Sequence, residues 1–147
     1  ETKDEARGEI VRDYLADRGE RPEGTRVAMA HRRADVRAIN DEIRSALQER
    51  GELAKGEDAG ELTFPTNDGK RSFAPGDRIV FLENDRDLGV KNGMLGTVES
   101  VEAGRIVAQL DGKGGDSISV PMGDYRAVDH GYATTIHKNQ GATVDRA

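Results

Sequence analysis

The chain has 147 residues, 35% of them hydrophobic, 34% charged and only 4% aromatic, with a formal net charge of −6. That is material for one ordinary domain or two small ones, with a lean core of Val, Ile, Leu and Ala. With no Cys and no apolar run near the roughly 18 residues of a membrane span, disulfide staples, thiolate metal sites and a spanning helix are excluded, and a cytoplasmic protein is expected.

The acidic opening Glu1–Asp4 has neither the basic nor the apolar region of a signal peptide, and a start on Glu rather than Met suggests an excised segment. Ile10, Val11, Tyr14 and Leu15 recur at helical spacing in a charged background. They predict an amphipathic helix over residues 3–17, ended by Gly19 and Pro22. Thr25 to Ala30 is a short apolar run that predicts a buried strand. A second helix follows, with Val36, Ile39, Ile43 and Leu47 on one face and Asp35 suited to its amino end. Strand then helix is the elementary unit of an α/β sheet.

From Gly51 to Gly60 glycine and acidic residues dominate, and then short β-type runs alternate with turns. Leu62–Thr66 and Arg71–Ala74 flank Asn67-Asp68-Gly69-Lys70, a hairpin signal. Arg78–Glu83, Leu95–Val101, Arg105–Leu110 and Ser117–Pro121 follow between Gly-rich turns, and strands this short predict a small barrel. Apolar, β-branched text returns over Tyr125–Ile136. It predicts one strand going back to the first sheet, with a polar loop leaving its carboxyl edge.

An acidic chain is a poor match for phosphate binding, yet the charge is uneven. Residues 26–48 hold five basic and three acidic side chains, and residues 126–147 hold three and two. These two basic blocks contain the motifs of interest. In the second, His130-Gly131-Tyr132-Ala133-Thr134-Thr135-Ile136-His137-Lys138-Asn139-Gln140-Gly141 offers hydroxyls and an imidazole to phosphate oxygens, and Gly141 permits close backbone approach. His130 and His137 lie on either side of the predicted strand without further ligands, so no metal is expected.

The string from Ala133 to Arg146 resembles motif V of superfamily-one helicases, and within them the conjugative relaxase-helicases of the TraA type, relatives of RecD. Val27 to Asn40 is similar to their motif IV region, and Gly76–Val80 followed by Val90–Gly96 is similar to the start of their inserted Src-homology-3-like barrel. The resemblance implies an α/β RecA-like half-lobe interrupted by a small all-β Src-homology-3-like barrel. Its implied parts are an amino-terminal helix and linker (1–24), the first part of the lobe (25–50), a linker and hairpin (51–72), the barrel (73–125), and a return strand with the motif V loop (126–147).

By the same resemblance, Thr134, Thr135, His137 and Lys138, with Asn92 of the barrel, are implied to contact single-stranded DNA. Arg33, Gln140 and Gly141 are implied to lie near nucleotide. Thr143 departs from the pattern, since many relatives carry Glu there. ATP and magnesium belong to the implied parent motor, because this chain has no phosphate loop: Gly69-Lys70 leads to Arg71 and Gly112-Lys113 to Gly114. No residue here is expected to be catalytic. The implied partners are single-stranded DNA, the other motor lobe and relaxase domain of the parent, and transfer-apparatus proteins, with no membrane. The alternative is a free-standing barrel that binds nucleic acid or protein. Asn92 also has a purely geometric reading, as part of a tight Asn-Gly hairpin turn.

Overall fold

The structure, a computed structural model, describes residues 3–112 and 115–136. In chain order its elements are α1 (Lys3–Glu20), β1 (Ala28–Ala30), α2 (Arg33–Glu49), a 3-10 turn (Glu57–Ala59), β2 (Leu62–Thr66), β3 (Gly69–Phe73), β4 (Arg78–Phe81), β5 (Leu95–Glu102), β6 (Arg105–Leu110), β7 (Ser117–Pro121), β8 (Val128–His130) and β9 (Ala133–Thr135). They fall into two compact units, one reaching to Leu47 and resuming at Tyr132, the other spanning Gln48–Gly131.

In the first unit, α1 runs through Gly19 and stops ahead of Pro22, so proline and not glycine ends it. Glycine costs a helix about 1 kcal/mol, whereas proline lacks the amide and disfavours helical geometry in the residue before it. Tyr14 is buried and meets the Tyr132 ring edge-on, with centroids 5.9 Å apart. Asp17, also buried, accepts hydrogen bonds from Arg21 Nη2 at 2.8 Å and Arg26 Nε at 2.7 Å. Bonds from Arg21 first and Arg26 second hold its carboxyl far below the ordinary carboxylate range. The Arg26 guanidinium also lies 5.8 Å from the Tyr14 ring centroid. On α2 the residues Ile39, Ile43 and Leu47 are almost fully buried, at the spacing that places them on one face. β1 is parallel to β9, with Ala28, Met29 and Ala30 opposite Ala133, Thr134 and Thr135.

The second unit is an antiparallel five-stranded sheet in the order β7-β6-β5-β4-β8, together with the β2–β3 hairpin. One core joins them: Phe64 and Phe73 from the hairpin pack with Ile79, Phe81, Ile106 and Val128. The unit is therefore wider than residues 73–125. The expected barrel is not closed among the described residues, because β7 and β8 remain the sheet's two edges. The hairpin reaches β8 through side chains instead of a strand ladder. His130 Nε2 lies 2.6 Å from Ser72 O, and Arg71 Nε donates to Asp129 Oδ1 at 3.0 Å.

The single return strand expected over Tyr125–Ile136 is two strands. Val128–His130 pairs with β4, and Ala133–Thr135 pairs with β1. Between them Gly131 donates its N–H to Arg78 O at 2.9 Å, and the next residue, Tyr132, accepts from Ala28 N–H at 2.9 Å. The backbone changes sheets at that peptide.

Candidate nucleic-acid interface

The parallel pairing of β1 and β9 brings the carboxyl ends of both strands to one edge. Ile136 N–H donates to Ala30 O at 3.0 Å, so pairing persists one residue beyond β9. From that edge β1 passes through His31 and Arg32 into α2, whose first residue is Arg33, while β9 passes into Ile136, 39% exposed. Open α/β sheets place ligands beyond the carboxyl ends of their strands, because loops and helix amino ends converge there. At the α2 start, Val36 N–H donates to Arg32 O at 3.0 Å, and Arg32 and Arg33 are both exposed. Basic side chains at the positive end of a helix dipole are not favoured by the helix, which leaves them available to an anion.

Thr134 and Thr135 are half-buried on β9 and, being adjacent, address opposite faces of it. His137, Lys138, Gln140 and Gly141, and with them Thr143, lie outside the described residues. The edge thus joins Thr135 to Arg33, two residues separated by about 100 positions in the chain.

Asn40 carries a role not read from the sequence. It is 2% exposed on α2, and its side-chain Oδ1 accepts from Ala133 N–H at 2.8 Å while Nδ2 donates to Ala133 O at 3.2 Å. The available signal was a polar residue beside Ile39 and Ile43, on a helix face that also buries Arg44.

Asn92 belongs to the second unit and is exposed; its N–H donates to Asn84 Oδ1 at 2.8 Å. The turn is not the Asn-Gly hairpin of two positive φ angles. Met94 N–H donates to Lys91 O at 3.0 Å and only Gly93 takes a positive φ, of 96°, which is the pattern of a type II turn. The loop is braced by the Tyr125 hydroxyl, which donates to Glu83 O at 2.7 Å. Burial pushes the Tyr125 pKa up, which keeps that donor protonated.

Among the described residues no three His, Asp or Glu side chains gather as a metal-holding group, and no helix is long and apolar enough to cross a membrane. A cavity of about 650 Å³ opens in the second unit beside Phe64, Met122 and Arg126, and none of the candidate residues lines it.

No protein-family model matches the chain. Among solved structures it is similar to unliganded Pif1 from Bacteroides sp., at 24% identity and a TM-score of 0.52 over 81% of this chain and 44% of that one. It is likewise similar to Bacteroides Pif1 helicase in complex with ADP-AlF3 and single-stranded DNA, at 23% identity and a TM-score of 0.52 over 80% and 32%. The chain therefore shares its fold with part of Pif1.

Sequence comparison is more specific. The chain is 47% identical over 147 residues to a probable conjugal transfer protein TraA of Sinorhizobium fredii, and 44% identical over 148 residues to the conjugal transfer protein TraA of Rhizobium radiobacter. These matches cover 98% and 99% of this chain but 13% of each relative. The chain's homologues are therefore TraA conjugal transfer proteins, and it corresponds to a segment of their length.

Proposed function

We propose that this segment is part of the second motor lobe of an ATP-driven DNA helicase within a conjugative relaxase, and that its parallel strand edge contacts single-stranded DNA. The observation that carries the reading is the meeting of the β1 exit to Arg33 with the β9 exit beyond Thr135 at one strand edge. Structures of Bacteroides Pif1 with single-stranded DNA and with ADP-AlF4 lend it support by analogy of fold.

In this reading Thr134, Thr135, His137 and Lys138 meet phosphate and sugar, contacts that position a strand without reading its bases. Asn92 adds a contact from the second unit, and Arg33, Gln140 and Gly141 lie toward nucleotide. ATP with magnesium binds to the rest of the parent, where it supplies phosphoryl-transfer chemistry. The core of the second unit, residues 73–125 with the hairpin and β8 packed on it, is a Src-homology-3-like insertion in the lobe. The remaining lobe, the relaxase domain and transfer-apparatus proteins are the partners, in the cytoplasm.

The test is fluorescence anisotropy of a labelled single-stranded oligonucleotide at low salt, with the Thr135→Val variant beside the wild type. Losing one hydrogen bond to a charged phosphate is expected to weaken binding by about tenfold. With two or three phosphates engaged, log affinity should fall with log salt at a slope of about −1.5 to −2. Equal binding by wild type and Thr135→Val would remove β9 from the interface.

A further inference from the structure

We infer that Asn40 is a positioning residue that locks the backbone of β9 to α2 and so sets where Thr134 and Thr135 stand; the inference rests on the DNA-contact reading of those threonines. Backbone bonds fix the geometry. Tyr132 O and Ile136 N–H both turn toward β1, through Ala28 and Ala30. Residues of a strand alternate in the direction of their amide groups, so Ala133 turns its N–H and C=O away from β1. Asn40 takes both of them, at 2.8 Å and 3.2 Å. A single carboxamide thus does for Ala133 what a neighbouring strand would do.

The chemistry of the site demands this residue type. The position needs an acceptor for an N–H and a donor for a C=O within one planar group, which a carboxamide supplies and an ionised carboxylate does not. An Asn in a helix interior is also a poor local choice, and burying its amide unbonded is costly. Both disadvantages are offset only because every polar direction used here ends on Ala133. Arg33 opens the same helix seven residues earlier, about 10 Å along its axis. Movement of α2 at its amino end is therefore passed to the residue directly before Thr134 by two short bonds. Anything that draws Arg33 along the helix axis shifts the register of the threonines.

The experiment uses the whole chain and measures single-stranded oligonucleotide affinity at low salt, amide hydrogen exchange at Ala133, and folding by circular dichroism. Asn40→Ala should speed exchange at Ala133 and weaken DNA binding about threefold or more, and it should add little to the effect of Thr135→Val because both act on one element. Asn40→Asp should bind weakly at neutral pH, where its carboxylate faces Ala133 O. It should recover relative to wild type at the same acid pH, where the protonated acid both donates and accepts. Asn40→Ala that binds DNA like wild type while Ala133 exchanges fast would overturn the role of Asn40 and leave the threonine reading intact. Thr135→Val that binds like wild type would overturn both. If Asn40→Ala fails to fold, Asn40→Asp decides: a folded variant whose affinity relative to wild type is unchanged by pH refutes the inference.

Discussion

Gly131 sits where the chain leaves the β4 ladder, and replacing it with alanine tests that geometry. A Cβ there would stand 2.7 Å from Ile79 C, 2.9 Å from Ile79 O and 3.0 Å from Val80 N. These are backbone atoms of a strand whose residues are all buried, so they cannot rotate aside as a side chain tip can. Forcing an extra carbon into such a place costs about 1–3 kcal/mol. Gly131 does not use a positive φ, so alanine also restricts the unfolded chain and returns about 0.4–1 kcal/mol. The net expectation is a loss of about 1–2 kcal/mol, or roughly 4–15 °C in the melting temperature of a domain this small. Gly123→Ala is the matched control: no atom lies within 4 Å of its would-be Cβ, and its φ is also not positive, so it should be neutral or slightly stabilising. Thermal melts of both variants by circular dichroism decide the matter. If Gly131→Ala melts at or above wild type, the close approach of Gly131 to Ile79 is not the constraint described.

Two further outcomes follow from hydrogen bonding and ionisation. Asp17 has a depressed pKa in the folded protein against an ordinary value of 3.8, so its contribution to stability is complete above that value and is lost as pH falls below it. Asp17→Asn should be less stable at neutral pH, and its melting temperature should change less than that of wild type as pH is lowered from about 5 to about 2. Tyr125→Phe removes the donor to Glu83 O and should cost about 1 kcal/mol in denaturant titrations, with faster amide exchange at Asp85 and Val90, which bracket the loop.

How legible each part was depended on whether pairing was local. β6 and β7 match their expected limits, Arg105–Leu110 and Ser117–Pro121, because glycine turns punctuate both ends; Gly104, with φ of 76°, makes the turn into β6. The β2–β3 hairpin was visible for the same reason, though its positive φ falls on Gly69 and not on Asn67 or Asp68. The segment Tyr125–Ile136 reads as one strand because aromatic and β-branched residues recur on both sides of Gly131, and only long-range partners divide it. Gly131 was the one residue that could have marked the division. At the site, the strand bearing Thr134 and Thr135 was legible from its β-branched run. Asn40 was not singled out, because a helix face is read from its apolar members while a buried polar residue declares itself only through a partner 93 positions away.

That separation also bears on how the edge is assembled. β1 and β9 contact each other only after a loop of about 100 residues has closed, which for a flexible chain costs about 4 kcal/mol beyond a constant term. Strands of three residues each, paired alone, recover little of that. The inserted residues Gln48–Gly131 bury their own core around Phe73, Ile79, Phe81 and Ile106, which leaves β1 and β9 to the first unit. Against that cost stand the two bonds from Asn40, the Tyr14–Tyr132 ring contact and the three-residue ladder, all of which tie β9 and its neighbour Tyr132 to the helices and to β1.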